Sequence, residues 1–306
     1  MVDFVNLMIP KKIVTDNPKD ALQKYTQKLH YAFEPIKQGL RLQCLIKDKI
    51  LFNGKVQQLN PQISLFHKKF KYIIDGLKRL DLPKNTLLDG TLVLENSSEM
   101  KDILRFYKQN PENMNKLFDK FGRPVFIISD VIYFDGRDLS EMPLIKRRKI
   151  IDDNIIDMEQ IKKSKIYFHS SYKSNQLNDM IGKSSIFHLR RPASSYHFNK
   201  SNACKILKFL KMYQVILIDA FETPKREGEC CSFSIGLYLN DELIEIQKVG
   251  AISDASLRRD LCENKDSYKG RVVEIKALDK NKISFLEPQY YRMRFDIKPE
   301  NCKMED

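Results

Sequence analysis

The chain has 306 residues, 42% hydrophobic and 30% charged, a globular composition with length for two ordinary domains. No uncharged apolar run approaches the ~18 residues of a membrane span, and the first residues lack the features of a secretory signal or transit peptide. Lys and Arg number 53 against 40 acids, a net charge of +13 that makes nucleic acid the first partner to consider beside a plain Lys-rich surface.

Residues 18–30 carry Ala21, Leu22, Tyr25 and Leu29 at helical spacing. Residues 39–46 alternate as a strand, with Asp48-Lys49 and Asn53-Gly54 as hairpin turns. A helix is predicted over 63–80, a strand over 86–94, and a second helix over 100–109. Residues 125–134 read as an apolar strand ending at the Asp135-Gly136 turn, followed by a helix over 142–156, and strands return beyond Ser164. From residue 213 the pattern is β: strands over 213–221, 232–239, 242–249, 271–277 and 290–295, with one helix over 254–263. Five short strands and one helix predict a small barrel of the OB type. The fold class is therefore α+β, with a larger domain over residues 1–211 and a barrel over 212–306.

Six cysteines (Cys44, Cys204, Cys230, Cys231, Cys262 and Cys302) form no CxxC pair, and His169, His188 and His197 add no ligand spacing. This usage suits a reducing intracellular compartment without separating nucleus, mitochondrion and cytoplasm. Zinc is not expected.

Several segments, taken in order, resemble the ATP-dependent DNA ligases of the minimal kind, a nucleotidyltransferase domain followed by an OB domain. Phe33-Glu-Pro-Ile-Lys-Gln-Gly-Leu-Arg41 is similar to the nucleophile motif Lys-x-Asp-Gly-x-Arg. Leu87-Leu-Asp-Gly-Thr-Leu-Val93 resembles the Leu-Asp-Gly-Glu-Leu strand. The stretch from Ser129 to Arg148 follows the family's strand, turn and helix entry. Ser185-Ile-Phe-His-Leu-Arg-Arg-Pro192 with Tyr196 resembles the Glu-Gly motif and its sequel, and Ile206-Leu-Lys-Phe-Leu210 stands where Leu-Lys-x-Lys is expected. In the last third, Lys248-Val-Gly250, Leu257-Arg-Arg259, Tyr268 to Lys276 and Tyr291-Arg-Met-Arg294 follow the OB pattern.

The resemblance implies a lysine that attacks the α-phosphate of ATP, carboxylates that hold ribose and metal, and lysines that neutralise phosphate. This chain departs from that set. Anchored on Gly39 and Arg41, the nucleophile position is Ile36; Lys37 falls on a variable residue and Gln38 replaces the aspartate. Phe52 replaces an arginine, Thr91 a glutamate, and Ser129 the adenine-stacking phenylalanine. Ser185 and Ile186 replace Glu-Gly, Leu210 replaces a lysine, and Ile297 occupies another expected lysine unless Lys298 serves through a bulge. Gly39, Arg41, Asp89, Gly90, Arg190 and Lys208 remain, so Arg41, Asp89, Arg190 and Lys208 are the candidate relict nucleotide contacts.

The replacements run toward apolar residues, which a phosphate pocket does not tolerate and a core does. The expectation is a noncatalytic ligase-like protein, a nucleic-acid-binding or structural subunit of a larger assembly, with neither ATP nor magnesium as cofactor. The alternative is an active ATP-dependent DNA ligase that uses Lys37, with both. Nucleic acid, DNA before RNA, is expected at Arg292, Arg294 and the cluster Lys146, Arg147 and Arg148, the cluster having a solvated face as its other reading. Tyr290 and Tyr291 are open to base stacking or to core packing.

Overall fold

A computed structural model describes residues 2–17, 20–21, 23–36, 39–54, 71–97, 100–110, 113–154, 166–168, 184–224, 226–250, 252–281 and 284–304. The chain divides into two compact units, residues 1–13 with 17–207, and residues 14–16 with 208–306. The division thus falls at 207/208 where the sequence suggested 211/212. Among the described residues no helix is long and apolar enough to cross a membrane.

The first unit holds two sheets. One has the order β4-β3-β5-β6-β7, formed by Leu40–Ile46 (β3), Ile50–Gly54 (β4), Thr86–Leu94 (β5), Pro124–Phe134 (β6) and Arg137–Asp138 (β7); Ile166–Phe168 (β8) pairs parallel to β6. The other has the order β1-β10-β9-β2, formed by Met8–Thr15 (β1), Ala32–Pro35 (β2), Ile186–Arg190 (β9) and Asn199–Phe209 (β10). Strand alternation sorts the side chains of the first sheet. Leu42, Cys44, Ile46, Leu88 and Leu92 face a core completed by Lys71–Arg79 (α1), Met100–Lys108 (α2), Met114–Phe121 (α3) and Leu144–Asn154 (α4). Leu45, Leu87 and Ile132 face the other way, toward Val2, Met8 and Tyr196.

A register shift changes that alternation within β6. Asp89 lies opposite Asp130 and Gly90 opposite Ile128, so Ser129 is the extra residue of a β-bulge. The bulge carries Asp130 to the face of Asp89, since directly opposed residues share a face.

In the second unit Lys211–Thr223 (β11), Arg226–Leu239 (β12) and Glu242–Val249 (β13) form an antiparallel meander. Ala255–Glu263 (α5), capped by the Asp254 carboxylate accepting from Ser256 N and Leu257 N, and the short Lys265–Tyr268 (α6) lead to Val272–Ala277 (β14). After the hairpin Asp279–Asn281 (β15) and Ser284–Leu286 (β16), Gln289–Arg294 (β17) completes the sheet order β13-β12-β11-β14-β17. Three strands in a meander, a helix, and two strands added beside the first strand make an OB fold.

Several expectations change. Asn53 and Gly54 do not turn; they pair with Gln43 and Leu42 as the end of β4. Residues 55–70, where the helix over 63–80 was expected to begin, lie outside the described residues, and α1 covers its end. Within 18–30 the described residues 20–21 are α-helical and Gln23–Lys28 is wound as a π-helix. The Asp135-Gly136 turn does form, with φ of 50° and 76°.

Gly90 sits where sheet and core come closest. A Cβ built there would lie 2.5 Å from Ile127 O and 2.7 Å from the Phe126 ring. Gly90→Ala is expected to destabilise the protein by ~1–3 kcal/mol through overpacking. Urea unfolding checks this, and an unchanged midpoint would show that the strands can part there at little cost.

Candidate functional site

Two acids inside apolar strands organise the first unit. Asp89 and Asp130 are both fully buried and stand opposite one another on β5 and β6. Arg41, on β3, grips Asp89 with both edges: Nε donates to Oδ1 at 3.0 Å and Nη2 to Oδ2 at 2.5 Å. Tyr196 donates its hydroxyl to Asp89 Oδ2 at 2.8 Å and accepts from Met8 N at 3.2 Å. Arg41 also donates to Met8 O.

Asp130 is held by two arginines. Arg147 of α4 donates from Nε to Oδ1 at 2.8 Å and from Nη2 to Oδ2 at 2.7 Å, while Arg190 of β9 donates to Oδ2. A third acid, Glu34 on β2, takes Arg148 in the same forked way, at 2.5 and 3.0 Å. Arg148 and Arg190 both reach the carbonyl of Ser129, the bulge residue. All six carboxylate oxygens of the three acids therefore accept from an arginine. Burial opposes the charge on Asp130, but Arg190, Arg147 and Arg148 outweigh it and hold the carboxyl below its ordinary pKa. The same contest runs in Arg41 and Arg190, where burial is overcome by Asp89 and Asp130 respectively and the pKa is raised.

The positions nominated from sequence are placed as follows. Ile36 continues the β2–β9 pairing, its N donating to Ile186 O at 3.1 Å; Ile186 is buried and Ser185 half-buried beside it. Thr91 is half-buried and pairs with Arg41 and Ile127. Ser129 is buried, its hydroxyl donating to Asp89 O at 3.2 Å. Phe52 is buried edge-on to Phe126. Lys37 and Gln38 lie outside the described residues.

In the second unit Leu210 is buried and Lys208 donates to both oxygens of Glu287 at 2.6 Å. Ile297 packs against the barrel core. Arg292 binds Glu274, and Arg294 bridges Glu274 and Asp296. Tyr290 packs edge-on to the buried Phe233, whereas Tyr291 is exposed, with Lys276 3.8 Å from its ring centroid.

The cluster on α4 divides. Lys146 is exposed, but the Arg147 side chain is 0% exposed and Arg148 17%, both bound to acids. Helical period, not local charge, decides which of consecutive basic residues meets water. These two arginines are internal ties, which replaces their reading as surface contacts. Asp130 and Glu34 were the residues overlooked. The available signal was an unaccompanied acid within an apolar strand, which is tolerated only where a partner is supplied.

A two-sheet domain with flanking helices, followed by an OB fold, is the architecture of a nucleotidyltransferase-type ligase. The chain belongs to the ATP-dependent DNA ligase family: the family model described as ATP dependent DNA ligase domain matches residues 13–184. A search of curated proteins found no match. Among solved structures, one described as Pmar-Lig_PreS3 is similar with a TM-score of 0.64 at 14% identity, over 93% of this chain and 67% of that one. A structure from an analysis of Lig E DNA ligases gives 0.61 at 12% identity, over 96% and 100%. At such identities the likeness is one of fold.

Asp130→Asn tests the ionic core. Leaving Arg147 and Arg190 beside a neutral amide is expected to cost ~3–5 kcal/mol at neutral pH. Because the folded pKa of Asp130 is depressed, its contribution is fully present above the unfolded value of roughly 3.9 and fades as pH falls through the folded one. The gap between wild type and variant in urea unfolding should therefore narrow in acid. A gap that does not narrow would make the effect one of packing.

Proposed function

We propose that this chain is a noncatalytic member of the ligase family, a DNA-binding protein that does not form a lysyl-adenylate. The observation that carries the reading is the closure of the buried acids. Asp89, the one carboxylate left of those the resemblance assigns to nucleotide and metal, has its oxygens engaged by Arg41 and Tyr196 and no exposed surface. A magnesium nucleotide needs carboxylate oxygens open toward it. Thr91 and Ser185 offer hydroxyls instead, and among the described residues no group of three His, Cys, Asp or Glu side chains suits a metal. The donor set therefore does not fit magnesium–ATP. Ile36 adds an aliphatic side chain at the nucleophile position, in a strand end tied to Ile186.

DNA binding is supported by family membership and by the net charge of +13. Binding of this kind is electrostatic and falls steeply with salt. A role within a larger protein assembly extends the same reading.

Incubation with α-labelled ATP and magnesium, followed by a denaturing gel, is expected to leave both wild type and Ile36→Lys unlabelled, because Gln38, Thr91 and Ser185 persist in the variant. A covalent label on the wild type that disappears in Lys37→Ala would establish the active ligase instead. Nicked and intact duplexes are expected to bind within about threefold of each other, as phosphate contacts without nick chemistry imply; a large nick preference would argue for a retained ligase clamp.

A further inference from the structure

Two concavities adjoin on the first unit and share Ser201 and Asn202 in their walls. One, of about 460 Å³, is lined by Arg191, Ser194 and His197; the other, of about 350 Å³, by Lys11 with Ile9 and Pro10. Among the described residues no Asp or Glu lines either one. Next to them the buried ring of Tyr31 holds two cations, Arg191 Cζ at 5.1 Å and Lys205 Nζ at 5.5 Å from its centroid. The ring is itself fixed, its hydroxyl donating to Asn202 O at 2.6 Å, and Arg191 N donates to Ala203 O.

Among the described residues, Lys11, Arg191, His197 and Lys205 form no ion pair. Residues 180–218 contain seven Lys or Arg and no Asp or Glu, so an acid partner has to come from elsewhere in the chain, as it does for Arg190, Lys208 and Lys211. Apart from the exposed Lys146, the described basic residues first nominated differ. Arg147, Arg148, Arg190, Lys208, Arg292 and Arg294 are all bound to carboxylates.

We propose that this face, from Lys11 across Ser201 and Asn202 to Arg191 and Lys205, is a contact surface for the phosphodiester backbone of duplex DNA. It rests on the DNA-binding reading above and assigns that binding to a place. An aromatic ring attracts a guanidinium through its face and leaves the N–H groups free to donate, whereas a carboxylate occupies them. Phosphate oxygens accept from such a fork and from neighbouring Ser and Asn side chains. Cations in two adjoining hollows suit successive phosphates of a polymer better than one isolated anion.

The test is fluorescence anisotropy with a labelled intact duplex across a salt series. Lys11→Gln/Arg191→Gln/Lys205→Gln is expected to weaken binding about tenfold or more and to lower the slope of log affinity against log salt by about two. Lys84→Gln/Lys149→Gln/Lys211→Gln removes the same charge from ion-paired positions and should stay within about twofold of wild type, since those cations already have partners. Arg191→Lys/Lys205→Arg should keep most of the affinity, and matched melting temperatures confirm that each variant folds. Equal losses in the two triple variants, or none in the first, would overturn this surface while leaving DNA binding in place. Failure of the wild type to bind at low salt would overturn the DNA-binding reading and the surface with it.

Discussion

Asp89 and Asp130 face each other across two neighbouring strands, away from water, and the rest of the first unit is arranged so that this is tolerable. Opposed like charges destabilise a sheet, and an unpaired buried acid costs several kcal/mol. Compensation comes from Arg41 on β3, Arg147 on α4, Arg190 on β9 and the hydroxyl of Tyr196, segments far apart in the chain. Because β3 belongs to one sheet and β9 to the other, neutralising the pair also fixes how the two sheets meet. Glu34 on β2 and Arg148 on α4 repeat the tie. Hydrophobic contact alone is indifferent to a small slide, whereas a one-residue slip of β9 would turn Arg190 to the wrong face and leave Asp130 short of a partner. Such ionic ties add little net stability over a well-packed apolar pair, and their value lies in register.

The same geometry bears on chemistry. Catalysis on a charged phosphate asks for preorganised charges that are stabilised by the fold yet open to the ligand. In this unit the stabilisation has been completed internally, each acid with its own forked arginine. The apolar replacements run in the same direction: Phe52 has joined the core against Phe126, and Ile186 is buried at the end of β9. On the proposed reading, scaffold and pocket have been joined into one solid, and the surviving motif residues Arg41, Asp89 and Arg190 persist because the sheets need them.

Much of this was legible in the sequence. The bounds of β5 and β13 follow from apolar alternation, and the OB type of the second unit follows from five short strands with one helix in place. Three failures have physical causes. β1 was hidden because Pro10, Lys11 and Lys12 break the apolar pattern of an edge strand, where such residues are common. Asn53-Gly54 has turn chemistry, but pairing with β3 outweighed local preference. The β6 bulge cannot be read from an uninterrupted apolar run, and without it Asp130 is assigned to the wrong face. In the site, Arg41, Asp89 and Arg190 stand out in the sequence as motif residues, but the pairing of Arg41 with Asp89 and of Arg190 with Asp130 depends on long-range register that spacing alone does not contain.

Net charge is also a poor guide to where an anion will land. A cation already bound to a carboxylate presents almost no field to an approaching phosphate, and transferring it would leave its former partner unpaired beside that phosphate. Arg294, shared between Glu274 and Asp296, would have to abandon two acids to make one contact. Arg191 and Lys205 have no such debt, because the Tyr31 ring that orients them carries no net charge and needs no replacement counterion. The available charge of a domain is therefore the set of cations left over after its acids have been matched, weighted by how rigidly they are held. By that measure Arg191 and Lys205, held by the Tyr31 ring, matter more than the total of +13, because Arg190, Lys208 and Lys211 of the same acid-free stretch are already matched to Asp130, Glu287 and Asp279.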